Sequence, residues 1–335
     1  MDVSPRRALV ASALFAIAGC SGGIGSQSSS LPSQSATAFV HSGVPIALAI
    51  GHSPILRENA AGTYPTKKSL VFEGDQEEAA VNIYQTAKLA TNPPPIASIH
   101  VAKGCPYGLA ADSHGNIFVA DNCPSGSFTG DIEEYSKGST TLKTTITDGI
   151  SDPLGIAINR SGTLYVTGYN PASISIYPAG ASSPSDVITG GGLTDPFGLA
   201  LDSAGNLYIA DFGASAVFEL PVGSSNIKNL NLQGLGEPLG LAINQKTGEL
   251  WETGGSGNII NIYQLGGSTS PIKTIPGNDY PYAISLQNVG KPKGEVVESD
   301  IDTHDVYAYK PNSYTPYATL SNGIELPTGL LITKP

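Results

Sequence analysis

Three aspartates at one recurring position are the residues of this chain that first invite a chemical reading. Asp121, Asp211 and Asp300 each end a short strand-like run, and glycine stands at the corresponding places Gly74, Gly168 and Gly254. Carboxylates gathered at one rim would coordinate a hard divalent cation such as calcium. The alternative is that each accepts backbone N–H groups of its own loop, as aspartate commonly does in turns. Asp152, Asp195 and Glu237 each precede a proline on the same side and read as turn residues. Glu252 and Glu298 fill a slot held elsewhere by Val119, Val166 and Ile209, in neighbouring repeats. Two carboxylates meeting between repeats would raise one pKa and serve acid–base work; otherwise each turns to solvent or pairs with a lysine such as Lys293. Trp251 adjoins them and reads as packing. The histidines at 41, 52, 100, 114 and 304 are scattered, which supplies neither a metal cage nor a nucleophile–base pair. Cys105 and Cys123 bracket one hairpin, at the same end of two antiparallel strands, where a disulfide fits. A lone Cys-x17-Cys pair without nearby histidines is not a zinc site.

The elements that position these residues come from a repeat. Prolines at 106, 153, 196, 238, 281 and 327 are spaced by 47, 43, 42, 43 and 46 residues. Each begins the same phrase. A small residue follows two places later (Gly108, Gly155, Gly198, Gly240, Ala283, Gly329), then an aliphatic strand, a polar turn with glycine and a second strand. A third strand ends in Tyr84, Tyr135, Tyr177, Tyr263 or Tyr309, with Leu220 in the remaining repeat, and a variable fourth strand closes the unit. A step of roughly 40–45 residues with four strands marks a radial array of blades. Five complete repeats run from Pro106 to Leu326. Ahead of them lie strands two to four of another blade, at Ser69–Phe72, Val81–Tyr84 and Ile96–His100. Behind them Pro327–Thr333 is a first strand with nothing after it. The fragments complete each other. The expectation is an all-β, six-bladed β-propeller of four-stranded antiparallel blades, closed by pairing of the C-terminal strand with the N-terminal blade. Closure removes the open sheet edges.

The N-terminus reads as an address. Arg6-Arg7, an apolar run over Ala8–Ala18 and a small-residue site form an export signal. Ile17-Ala18-Gly19-Cys20 resembles the bacterial lipoprotein box, which implies that Cys20 becomes the lipidated first residue. Residues 1–19 are then a signal peptide, 20–66 a Ser/Gly-rich flexible tether and 67–335 the propeller. Export implies an oxidising compartment, suited to a Cys105–Cys123 disulfide. The formal net charge of −11 and the absence of any basic run exclude nucleic acid as a partner. They also leave membrane attachment to the N-terminal lipid alone. Ser21 resembles the residue that sorts lipoproteins to the outer membrane.

The phrase from Pro196 through Gly198, Asp202, Gly205-Asn206 and Tyr208 to Asp211 resembles the NHL-type repeat and its gluconolactonase-type relatives. The likeness spans roughly residues 67–335. It implies a propeller and leaves the chemistry open, because enzymes and passive binders share the repeat. Gluconolactonase-type enzymes hold a divalent metal with acidic and amide ligands at one mouth. Here the inner strands carry no carboxylate before their far ends, which counts against that activity. Related lyases with converging histidines differ from this chain in the same way. The expected function is a lipid-anchored binding or scaffolding module at the bacterial cell envelope. Its working mouth would carry Asp121, Asp211, Asp300 and the cysteine link, and its partner would be a protein or an envelope glycan. The alternative is a metal-dependent hydrolase or lyase of the gluconolactonase-like group, using calcium or another divalent cation.

Overall fold

The computed structural model of the chain describes residues 62–122, 130–288 and 294–334. Cys20, the export signal, most of the tether and Cys123 lie outside the described residues. Six four-stranded antiparallel sheets follow one another. In ring order blade 1 holds β4 (Pro106–Ala111), β5 (Ile117–Asp121), β6 (Asp131–Tyr135) and β7 (Leu142–Ile146). Blade 2 holds β8 (Pro153–Ile158), β9 (Leu164–Gly168), β10 (Ser173–Tyr177) and β11 (Asp186–Thr189). Blade 3 runs through β12 (Pro196–Leu201), β13 (Leu207–Asp211), β14 (Ala216–Leu220) and β15 (Lys228–Asn229). Blade 4 comprises β16 (Pro238–Asn244), β17 (Glu249–Gly254), β18 (Ile259–Gln264) and β19 (Lys273–Pro276). Blade 5 comprises β20 (Pro281–Leu286), β21 (Val296–Asp300), β22 (Asp305–Tyr309) and β23 (Pro316–Leu320). Blade 6 joins the two ends of the chain: β24 (Pro327–Thr333) pairs antiparallel with β1 (Leu70–Asp75), with Val71 opposite Ile332. β2 (Ala80–Gln85) and β3 (Ala97–His100) complete it. The ring is closed by the last strand, as the unmatched fragments required.

The repeated phrase has a geometric cause. In every blade the first strand carries one extra residue against the second, so Pro153 faces Gly168 while Ile156 faces Val166. This bulge turns the Pro-x-Gly segment toward the axis. There the small residue packs on the main chain of the next blade. A Cβ on Gly108 would lie 2.6 Å from the Leu154 carbonyl, and one on Gly240 would lie 2.7 Å from that of Tyr282. Gly329 of blade 6 meets the carbonyl of Tyr107 in blade 1 in the same way. At these glycines a side chain is excluded by the close approach of two backbones, while blade 5 carries Ala283 in the same slot.

The apolar cores lie between blades, where neighbouring sheets press face to face. Ala110, Ile132, Ile156 and Tyr177 pack between blades 1 and 2, and Val71, Tyr84, Val306 and Ile332 between blades 5 and 6. The tyrosines ending the third strands are fully buried, and three of them reach the chain that enters their own blade. Tyr84, Tyr177 and Tyr263 donate their hydroxyls to the carbonyls of Gly323, Asp148 and Gln233 at 3.0, 2.8 and 2.8 Å. A tyrosine here fills an inter-blade wedge and satisfies its polar tip on a loop carbonyl.

Two sequence expectations shift. Blade 6 aligns one residue later than its sequence suggests, because Asp75, not Gly74, stands opposite Pro327. The folded body also reaches back beyond residue 67: Thr63 bridges to Ser139, and the Tyr64 N–H donates to the Gly138 carbonyl at 2.9 Å.

Candidate functional site

The strand directions give the ring two unlike ends. Loops leading into first strands, and loops joining second to third strands, share one end with the repeat aspartates. Hairpin turns such as Asp112–Asn116 and Asn159–Thr163 occupy the other.

At the first end each aspartate is buried and spent on its own loops. Asp211 accepts the N–H groups of Thr194, Asp195 and Ala214 at 2.9, 3.0 and 2.9 Å and the Thr194 hydroxyl at 2.8 Å. Asp300 accepts from the N–H groups of Asp279, Tyr280, Asp302 and Thr303 at 2.7, 2.8, 3.1 and 2.9 Å. Asp121 takes those of Lys103 and Cys105 at 2.5 and 2.8 Å. The alternation of aspartate with glycine gives way to a fourth member, Asp75, which binds the N–H groups of Glu77, Glu78, Glu325 and Leu326. Asp75, Asp211 and Asp300 thus tie the loop that enters their blade to the loop that leaves the second strand, and Asp121 holds the loop that enters blade 1. Asp121, Asp211 and Asp300 do not converge on one point, since each serves its own blade. In blades 2 and 4, where Gly168 and Gly254 replace the aspartate, the residue before the proline is left-handed instead, at Asp152 and Glu237 (φ 46° and 58°).

One compact set of carboxylates does form. Asp121, Asp131 and Glu133, all in blade 1, bring an oxygen each to within 4.8 Å of one another. The Lys103 ammonium lies 3.6 Å from Asp131. Glu133 accepts the Ala102 N–H at 3.0 Å and the Tyr135 hydroxyl at 2.5 Å. Burial raises the pKa of all three carboxyls; the Lys103 and Cys105 amides oppose the rise at Asp121, and the Lys103 charge opposes it at Asp131. These oxygens could hold a calcium-sized ion only by competing with Lys103. Sequence reading missed Asp131 and Glu133 because they sit on a third strand that has no acid at those places in most blades.

Glu252 and Glu298 are fully buried, but neither hydrogen-bonds to the other, which corrects the expected inter-blade pair. Glu252 Oε2 accepts from Asn261 at 3.0 Å and Glu298 Oε2 from the Tyr309 hydroxyl at 3.3 Å, each partner within the same blade. The cause is register: Glu252 faces Asn261 directly across two strands of one sheet. Burial pushes both carboxyls up to about 8, helped at Glu298 by the Asp300 charge. Glu73 is a third member in blade 6, bound by Asn82 at 3.3 Å and also raised by burial. The one-residue misalignment of that blade hid it. In all three the second carboxylate oxygen has no hydrogen-bond partner among the described residues. Trp251 packs between blades 4 and 5, stacked on Tyr314 with centroids 6.3 Å apart.

The axis itself is nearly filled. Residues following the repeat prolines (Tyr107, Leu154, Phe197, Leu239, Tyr282 and Thr328) close it at the aspartate end, leaving a space of about 80 Å³ along the inner strands. Phe197 and Tyr282 meet edge to face across blade 4, centroids 6.1 Å apart. Glu77, Glu78 and Glu325 of blade 6 are exposed at this end, and Asp195, Glu237 and Asp302 of blades 3, 4 and 5 are half-buried there. Lys103 is the one lysine or arginine in the described loops of that end. His114 and His304 stay at opposite ends, so no histidine pair forms there. Cys105 is buried beside Asp121; its proposed partner Cys123 is outside the described residues. Among the described residues no helix is long and apolar enough to cross a membrane.

With the geometry in hand, comparison with known proteins bears on the fold. No family model and no curated protein matches the sequence. A chain from a crystal structure of a nidogen/laminin complex superposes with a TM-score of 0.66 at 19% identity, covering 79% of this chain and 98% of that one. Virginiamycin B lyase from Staphylococcus aureus superposes with a TM-score of 0.53 at 16% identity, covering 75% of this chain and 80% of that one. At such identities the likeness is one of fold.

Proposed function

We propose that this chain is an exported, lipid-anchored propeller that works as a binding module and takes a basic protein surface on its aspartate rim. The observation that carries the reading is the filled, acidic end: Tyr107, Phe197, Tyr282 and their aliphatic neighbours occupy the axis, Glu77, Glu78 and Glu325 are exposed beside them, and Lys103 is the one lysine or arginine in the described loops of that end. A face whose described residues leave only about 80 Å³ on the axis suits a macromolecule, and a local negative field steers a basic one. The buried aspartates suit this use, because they hold the presenting loops in fixed positions. The neighbour from a nidogen/laminin complex supports the use of such a scaffold for a protein partner. An envelope glycan is the other partner class the sequence allows; the acidic rim favours a cationic protein. Cys20 would carry the acyl anchor. Cross-linking in cells should capture a partner with the native chain and lose it with Glu77→Lys/Glu325→Lys. Capture that survives this charge reversal and is insensitive to salt would refute the assignment. Cys20→Ser should move the protein from the membrane to the soluble fraction.

The second reading, a hydrolase or lyase of the gluconolactonase-like group using calcium or another divalent cation, rests on the Asp121, Asp131 and Glu133 set. Stoichiometric calcium in the purified protein, lost in Asp131→Ala, would support it. Purification in calcium without retention of the ion would leave the binding module standing.

A further inference from the structure

The larger hollow lies at the opposite end of the ring, which the acidic-rim reading leaves unused. Its volume is about 410 Å³, within the range of small-molecule sites. Leu70, Phe72, Ile117 and Leu331 give it an apolar floor, and the Tyr64 ring stands against Phe72 with centroids 5.4 Å apart. Its edge carries Lys68, Lys137, Arg160 and Lys334, with His114, against one carboxylate, Asp112. That carboxylate is engaged: Oδ1 accepts the N–H groups of His114 and Asn116, both at 2.9 Å, and Oδ2 the Asn116 carboxamide at 2.8 Å. His114 stands 3.6 Å from it. Among the described residues none of the four permanent cations has an ion pair or an aromatic partner. In a chain of net charge −11 this concentration of cations is a local feature. Four separate parts of the chain deliver it: the N-terminal strap, blade 1, blade 2 and the closing strand.

A second, independent observation is Gln287, which lines the same hollow and is 2% exposed. Its Nε2 donates to Ser69 Oγ at 2.8 Å, which fixes the carboxamide, and its Oε1 has no hydrogen-bond partner among the described residues. A buried acceptor without a donor is costly. A donor on a bound molecule would remove that cost. A protonated ligand amine would be repelled by four cations, so the fitting donor is an uncharged one, which a hydroxyl supplies.

We propose that this hollow binds a small hydroxyl-bearing organic anion. Its phosphate or carboxylate sits among Lys68, Lys137, Arg160 and Lys334, its hydroxyl donates to Gln287 Oε1, and its carbon skeleton lies on the apolar floor. Arg160 offers the planar fork that suits either oxyanion, and the lysines add point charges.

Calorimetric titration of the full chain at low ionic strength tests this, with glucose 6-phosphate and citrate as probes and glucose and inorganic phosphate as references. The expected result is saturable binding of at least one hydroxylated anion, with no binding of glucose. Binding of glucose 6-phosphate alone assigns the site to phosphates, and binding of citrate alone assigns it to carboxylates. Lys137→Ala/Arg160→Ala, both exposed and remote from the core, should weaken the bound anion at least about tenfold. Gln287→Leu should weaken it roughly fivefold and leave inorganic phosphate unaffected. No heat from either anion at millimolar concentration overturns the proposal. So does unchanged affinity in the double variant, or glucose binding as tightly as the anions. The outcome is separable from that of the acidic rim, because Glu77→Lys/Glu325→Lys alters the other end of the ring and should leave this titration unchanged.

Discussion

Replacing Glu252 by glutamine should flatten the dependence of stability on pH, and the size of the effect follows from the side chain's surroundings. Glu252 is fully buried, has Asn261 as its hydrogen-bond donor, and is pushed from 4.5 up to about 8 by burial. The native state therefore keeps this proton at neutral pH while the unfolded chain releases it. With a raised native pKa, the group's contribution is fully present below about pH 4.5 and is lost as pH rises toward about 8. At pH 7 the unfolded carboxyl is about 2.5 pH units above its pKa, which corresponds to about 3 kcal/mol of lost stability. For a domain of this size that is a fall in Tm of about 6–12 °C between pH 4.5 and pH 7. Glutamine keeps an acceptor for Asn261 and cannot ionise. Thermal unfolding followed by circular dichroism at several pH values should show Glu252→Gln losing less Tm than the native chain, by about that amount. Taking the difference between the two proteins cancels the other raised carboxyls, including Glu73 and Glu298. Parallel curves for the two proteins would refute the claim that Glu252 is held neutral.

Three further outcomes follow from the packing. Gly155→Ala should destabilise the fold by at least about 2 kcal/mol, because the added methyl meets the Phe197 carbonyl on the adjacent blade; a denaturant midpoint equal to the native one would contradict the close-approach account. Asp211→Ala should cost about 2–3 kcal/mol in chemical denaturation, since it removes the buried acceptor shared by the N–H groups of Thr194, Asp195 and Ala214, which are only partly shielded from water. Equal stability would mean that those loops do not depend on the carboxylate. Removing Pro327 through the C-terminus should expose the edge of β1 and drive the chain into aggregates or a protease-sensitive form, which size-exclusion chromatography and limited proteolysis would detect; an elution volume and protease resistance equal to those of the native chain would deny the strand its closing role.

The interval between prolines determined the number of blades, and the unmatched strands at the two ends determined how they close. Each depends on a local pattern repeated along the chain, so both were readable without coordinates. The sites were less legible. Asp121, Asp211 and Asp300 each end the second strand of a blade, but whether they share a ligand depends on where their oxygens point, and they point at loop amides. Glu252 and Glu298 stand out in the sequence as polar residues in apolar slots, yet their partners are set within each blade, as Asn261 opposite Glu252 shows. The Gly74 alignment failed because blade 6 is split between the two ends of the chain, so the frame of its second strand is set only by pairing, with Val71 opposite Tyr84 and Asp75 opposite Pro327. The hollow at the hairpin-turn end escaped sequence reading altogether. Its cations come from positions 68, 137, 160 and 334, which no spacing rule connects. Repetition along the chain is written in the residues themselves, whereas a site assembled from distant segments exists only once the ring has closed and brought those segments to one side.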